Sequence, residues 1–127
     1  MNYIDAKILE DANAGIKGAR KENTPINSGN LWTRYDFRDN GDLKDIGIGL
    51  GIQYSCDKIP WFTCEFKVPA YTLFDMAVYY KPGKGNMQIA ANVNNVTDKS
   101  YWIGAQNYLR LFPGAPRNMM LTTSYQF

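Results

Sequence analysis

No histidine occurs among the 127 residues. Ser-His-Asp triads, Cys-His dyads and imidazole-based zinc sites are thereby excluded. Two cysteines alone do not complete a structural zinc site either. Charge of both signs is scarce and nearly balanced: 14 Lys+Arg against 12 Asp+Glu leave +2, without the basic excess of a nucleic-acid binder. No run approaches about 18 consecutive apolar residues, so no membrane-spanning helix is encoded. Met1-Asn2-Tyr3-Ile4-Asp5 has neither a basic nor an apolar signal-peptide region, and no signal peptide is expected there. The length suits one domain with one modest core, and no composition break divides the chain. An ordinary soluble enzyme is not expected.

Aromatic residues are what the chain has in excess. They make up 14% of it, with 9 tyrosines, beside 11 glycines and a mean hydropathy of −0.40. A polar yet aromatic-rich chain suits strands with one apolar and one wet face. Ile46 to Ser55 shows the pattern most clearly: Ile46, Ile48, Leu50, Ile52 and Tyr54 alternate with Gly47, Gly49, Gly51, Gln53 and Ser55. A helix would scatter these residues, whereas a strand sorts them by face. Met119, Leu121, Thr123, Tyr125 and Phe127 alternate in the same way with Asn118, Met120, Thr122, Ser124 and Gln126. In 86–96, Met87, Ile89, Ala91 and Val93 oppose Asn86, Gln88, Asn92 and Asn94. Leu31, Thr33, Tyr35 and Phe37 oppose Asn30, Trp32, Arg34 and Asp36, and Phe74, Met76, Val78 and Tyr80 oppose Leu73, Asp75, Ala77 and Tyr79. Residues 2–9 make a weaker strand. The expectation is an all-β antiparallel meander of about six strands and no helix.

The connections expected between these strands, 10–25, 38–45, 56–67, 81–85 and 99–116, run long, short, long, short, long. Transmembrane barrels of the outer-membrane type alternate short periplasmic turns with longer extracellular loops in this way. Strands of about ten residues suit a tilted crossing of a bilayer, and Tyr and Phe cluster at strand ends, where aromatic girdles belong.

Four motifs then resemble those of TonB-dependent siderophore receptors of the ferrichrome-receptor type. They are Asn23-Thr24-Pro25 with Leu31-Trp32-Thr33-Arg34-Tyr35-Asp36-Phe37; Val68-Pro69-Ala70-Tyr71-Thr72-Leu73-Phe74-Asp75; Asn92-Val93-Asn94-Asn95-Val96-Thr97-Asp98-Lys99-Ser100-Tyr101; and Gly114-Ala115-Pro116-Arg117 before a last strand ending in Phe127. The departures are Ala70 for the usual Gly and Val96-Thr97 for Leu-Phe. The resemblance implies the C-terminal segment, 1–127, of a 22-stranded outer-membrane β-barrel with a plugged lumen. The plug and most strands would lie outside this chain, a fragment not competent for transport alone. Implied partners are outer-membrane lipid, the remaining strands and plug, the barrel-assembly machinery, the TonB complex through the missing N-terminal part, and a ferric siderophore as transported ligand. No cofactor and no metal site of the chain's own are expected. The implied location is the Gram-negative outer membrane, with the C-terminus periplasmic.

The resemblance also implies residue roles. Phe112, just before Gly114-Ala115-Pro116-Arg117, would line the siderophore pocket, with Tyr108 and Trp102 as further aromatic candidates. Tyr125 and Phe127 would form the terminal aromatic signal read in barrel assembly. Cys56 and Cys64, in a loop that would be extracellular, are expected to form a disulfide over Trp61 and Phe62. Lys17, Arg20 and Lys21 form a basic loop cluster that could draw an anionic chelate. Asp5, Arg34, Asp36 and Asp75 fall on presumed lumen faces, where pairing with the plug or one another is expected rather than chemistry. Gly47-Ile48-Gly49-Leu50-Gly51 superficially suggests a dinucleotide fingerprint, but it lies within a strand and no helix follows. Asn95-Val96-Thr97 matches a glycosylation acceptor only by chance. The rival readings are a soluble β-barrel binding a lipophilic ligand and a complete small outer-membrane barrel. Both need about eight strands where six are found.

Overall fold

The segments with period-two patterning are strands in the computed structural model, which describes residues 2–9, 18–37, 44–60, 66–83, 86–107 and 109–126. In chain order they are β1 (Asn2–Tyr3), β2 (Asn27–Asp36), β3 (Ile46–Ser55), β4 (Tyr71–Tyr80), β5 (Met87–Asn94), β6 (Trp102–Asn107), β7 (Arg110–Pro113) and β8 (Asn118–Tyr125). No helix occurs among the described residues. One six-stranded sheet runs β1-β2-β3-β4-β5-β8, and β6 and β7 form a hairpin of their own. The pairs β1–β2, β4–β5, β5–β8 and β6–β7 are antiparallel. The all-β antiparallel expectation therefore holds, with six strands in the main sheet.

Two local differences have physical causes. The first strand, expected over 2–9, pairs as a ladder only at Asn2–Ser28 and Tyr3–Asn27. Its continuation stays beside 18–26 through scattered bonds, Ile4 N to Ile26 O at 2.8 Å, Lys21 N to Ala6 O at 2.9 Å and Ile8 N to Ala19 O at 2.9 Å. A regular ladder cannot run on because Asn23 is left-handed (φ 53°) and Pro25 offers no N–H. The second difference is the β6–β7 hairpin, inside what reads as a plain loop at 99–116. Register shifts between Trp102 and Gly104 and between Ala105 and Asn107 break its alternation, which hides the strand period in the sequence.

The chain divides into two compact units. One gathers Met1–Asn30, Gln53–Thr72 and Ser100–Gly114; the other Leu31–Ile52, Leu73–Lys99 and Ala115–Phe127. The second unit holds most of the strand length and the short connections 37–45 and 81–86. Its register puts like with like. Met76 faces Val93, Val78 faces Ala91 and Tyr80 faces Ile89; on the other side of β5, Val93 faces Met119, Ala91 faces Leu121 and Met87 faces Tyr125. Directly opposed residues share a sheet face, so these side chains form one apolar surface. It is uncovered: Ile48, Leu50, Ile52, Phe74, Met76, Val78 and Leu121 are all exposed.

The opposite face of this unit is covered by its own polar and aromatic side chains. Gly47, Gly49 and Gly51 are buried beneath Trp32, Arg34 and Asp36 of β2. A Cβ on Gly49 would lie 2.7 Å from Trp32 Cζ2 and 3.3 Å from Tyr79 Cε2. Arg34 donates to Asp36 Oδ1 through Nε (2.9 Å) and Nη2 (2.8 Å), and its guanidinium carbon stands 4.1 Å from the Tyr79 ring centroid. A sheet folded for water alone would do the reverse and cover its Ile and Leu face.

Asn95 closes β5 and organises the turn that follows. It is left-handed (φ 52°) and 3% exposed. Its backbone N–H donates to Asp75 Oδ1 of β4 (2.8 Å), and its side-chain oxygen accepts the Lys99 N–H (2.9 Å). Its Nδ2 donates to Lys99 O (2.9 Å) and Ala115 O (3.3 Å). Nearby, Val96 N donates to Phe74 O (2.8 Å), and Asp98, also left-handed, accepts the Arg117 N–H at Oδ1 (3.0 Å). These bonds draw the end of β5, the middle of β4 and the approach to β8 onto one buried amide. Asn95→Ala loses both the side-chain bonds and the residue's tolerance of positive φ, and is expected to destabilise the protein by about 2–4 kcal/mol. Asn95→Gly keeps the φ and loses only the bonds, so about half that loss is expected. Urea titration of the protein folded in detergent micelles checks both. A loss below about 0.5 kcal/mol for Asn95→Ala would mean that the network is idle.

Candidate functional site

In the first unit the β6–β7 hairpin is held by polar groups on two distant connections. Asn23 Nδ2 donates to Ala105 O (2.8 Å) while its Oδ1 accepts the Ala105 N–H (2.9 Å). One side-chain amide thus replaces the peptide of a neighbouring strand. Its left-handed backbone makes this possible, and its own N–H donates to Ile59 O (2.8 Å). Lys58 Nζ donates to Ile103 O (2.8 Å), a second clamp on β6. Behind them the Tyr101 ring packs on Tyr71 with centroids 4.6 Å apart. The same ring lies against Gly114, where any Cβ would collide with it, and Gly114 N donates to Tyr101 O (2.8 Å).

The clamps fix the hairpin backbone and leave aromatic side chains outward. Phe112 stands opposite Gly104 and Trp102 opposite Pro113. Phe112 is 51% exposed and Trp102 is at the edge of exposure, while Ala105 is fully buried beside Leu111. The structure therefore brings two of the three aromatic candidates onto one hairpin; Tyr108 lies outside the described residues. So do Cys64, Trp61, Phe62, Lys17 and Phe127. Cys56 is a buried free thiol whose Sγ accepts the Asn27 N–H (3.2 Å). Of the basic cluster, Arg20 Nη2 donates to Thr24 O (3.2 Å). Tyr125 is exposed on the apolar face of β8. Asp75 serves the Asn95 turn, Arg34 and Asp36 pair with each other, and Asp5 pairs with Lys7 at 3.0 Å.

Among the described residues three open cavities have charged side chains in their walls, one in the first unit and two in the second, of which the smaller, about 230 Å³, is lined by Lys81, Asn86, Gln88, Ser124 and Gln126. The larger of the second unit's two, about 310 Å³, is lined by Arg34, Asp36, Lys44, Asp45, Tyr79 and Lys81, so its cations stand beside carboxylates. That of the first unit, about 250 Å³, has Lys58 and Tyr71 in its wall beside Ser28, Asn30, Gln53 and Ser55, with no acidic residue among the described residues that line it. Burial pushes the Lys58 amine below the usual lysine range, with the neighbouring Cys56 thiol acting in the opposite sense. Sequence reasoning passed over Lys58, and Asn23 entered only as a motif letter. A lysine in a connection reads as solvated by default, and the Asn23–Ala105 contact spans 82 positions.

The amino-acid sequence matches the family described as TonB dependent receptor-like, beta-barrel over residues 1–96. It is 36% identical over 126 residues to the metal-pseudopaline receptor of Pseudomonas aeruginosa, covering 97% of this chain and 17% of that protein. It is 30% identical over 128 residues to the ferrichrome outer membrane transporter/phage receptor of Escherichia coli, covering 98% and 17%. Among solved structures, the ferric preacinetobactin receptor of Acinetobacter baumannii superposes with a TM-score of 0.80 at 28% identity, covering 98% of this chain and 18% of that one. The ferripyoverdine receptor of the Pseudomonas aeruginosa outer membrane gives 0.70 at 28% identity, covering 87% and 15%. The chain spans about one sixth of the length of the curated relatives it matches. These relatives are named as receptors or transporters, and a soluble lipophile-binding barrel is not favoured. With the family match over 96 residues agreeing with the antiparallel two-faced sheet, the chain belongs to the TonB dependent receptor-like β-barrel family.

Proposed function

We propose that this chain is the C-terminal part of the β-barrel of an outer-membrane receptor for TonB-dependent uptake of ferric siderophores. The observation that carries the reading is the two-faced sheet of the second unit. Its uncovered Ile, Leu, Val, Phe and Met face suits lipid, and its polar, aromatic-covered glycine face suits a barrel lumen. The relatives' names give the cargo class, since they specify ferrichrome, ferric preacinetobactin, ferripyoverdine and metal-pseudopaline. In this reading β1 and β8 pair with the remaining strands, since an unpaired edge presents a row of open backbone groups. The plug fills the lumen, and TonB engages the part of the receptor outside this chain. The long connections and the β6–β7 hairpin are extracellular. The short connections and the C-terminus are periplasmic, with Tyr125 and Phe127 at the interface where the barrel-assembly machinery reads the strand end.

Trp102 and Phe112, with Tyr108, then present aromatic surface to a chelate whose exterior is largely organic. The test is uptake of radiolabelled iron from a ferric siderophore by cells expressing the full-length receptor. Uptake is expected to be saturable and to vanish when TonB is deleted; uptake that persists without TonB would contradict the reading. In the same receptor Phe112→Ala is expected to weaken siderophore affinity on the order of tenfold, with the amount of folded protein unchanged. Equilibrium binding to purified receptor measures this, and an unaltered dissociation constant would return Phe112 to a packing role.

A further inference from the structure

Lys58 is the one buried cation among the described residues. It is 6% exposed, bridged to Val68 by backbone bonds of 3.0 and 2.9 Å. Its ammonium has one carbonyl partner, Ile103 O at 2.8 Å, and stands 5.3 Å from the Tyr71 ring centroid. Among the described residues no carboxylate forms an ion pair with it; adjacent Asp57 pairs with Lys67 instead (3.7 Å). A buried charge without a counter-charge is costly, and an ammonium has three donors to satisfy. Lys58 also forms part of the wall of the 250 Å³ cavity, where Ser28, Asn30, Gln53, Ser55 and Tyr71 add hydroxyls and amides, and no acid lines it among the described residues. The cavity is smaller than the usual pocket for a drug-sized ligand, about 300–1,000 Å³. It therefore fits an arm of a ligand and not a whole chelate.

We propose that this cavity is an anion subsite: Lys58, with the Gln53 and Asn30 amides and the Ser28 and Tyr71 hydroxyls, receives a free carboxylate carried on the periphery of the metal chelate. The inference rests on the receptor reading above and sharpens it, selecting carboxylate-bearing chelates over neutral ones. The 310 Å³ cavity of the second unit offers no such site, because Asp36 and Asp45 stand among its cations, and the lysine of that unit's 230 Å³ cavity, Lys81, is exposed and already hydrated.

The test uses the full-length receptor and two probes, a ferric trishydroxamate with one pendant carboxylate and the methyl ester of the same chelate. Wild-type receptor is expected to bind the acid about tenfold more tightly than the ester, the size of one charge-assisted hydrogen bond. In Lys58→Met the ratio is expected to collapse towards one, and Lys58→Arg should keep part of it. Gln53→Leu, which leaves the Ile103 clamp intact, should reduce the ratio and serves if Lys58→Met fails to fold. Equal binding of acid and ester by wild type overturns the subsite and leaves the receptor reading standing. Weakening of both probes alike in Lys58→Met overturns the subsite too, because the lysine then only clamps the hairpin. Binding of neither probe by wild type removes trishydroxamate chelates from the receptor reading, and the subsite with them.

Discussion

Everything in the strand-rich unit depends on one constraint, the strict alternation of large apolar side chains with small or polar ones. In β3 it places Ile48, Leu50 and Ile52 on one face and Gly47, Gly49 and Gly51 on the other. The glycines leave room for Trp32 to lie flat across them, and Arg34 then spans from Asp36 to Tyr79. Because side-chain direction has a period of two, a slip of one residue would drive leucines into that polar layer. The same rule aligns Met76, Val93 and Met119 across three strands. An uncovered apolar band of this kind is tolerated where the solvent is itself apolar.

A second layer of order comes from side-chain amides. Asn95 and Asn23 are both left-handed, and each supplies through its side chain the donor and acceptor that an ordinary peptide would present. The motif segments are thereby wired together: Asp75 holds the Asn95 N–H, the Asn95 amide reaches Ala115, and Asp98 holds the Arg117 N–H. Residues that look in sequence like marks of a function are here the posts of turns. In the first unit Asn23 holds the aromatic hairpin, to which binding is proposed.

The main sheet was legible because period-two patterning is a local signal, and β3, β4, β5 and β8 carry it with few breaks. The β6–β7 hairpin was not, because register shifts around Gly104 and Asn107 scramble the alternation. β1 read longer than it is because the obstacles to its ladder, left-handed Asn23 and Pro25, lie on the partner segment. Phe112 and Trp102 could be named from the order of the motifs. Their shared hairpin, and the burial of Lys58 beneath Ile103, depend on contacts that no local pattern encodes; the Lys58–Ile103 bond alone spans 45 positions. Asn95 was visible only as a motif letter and a chance glycosylation triplet, and the structure spends its whole amide on Lys99 and Ala115.

The most direct test of the two-faced account is spin labelling of the full-length receptor in lipid bilayers. Single cysteines carrying nitroxides would replace Leu50, Val78, Ala91 and Leu121 on one face, and Asn92, Thr122 and Ser124 on the other. Collision with dissolved oxygen reports lipid contact, and collision with a water-soluble nickel chelate reports contact with water. The account predicts high oxygen and low nickel accessibility for the first set and the reverse for the second. Equal accessibility of both sets, or an inverted order, would contradict it.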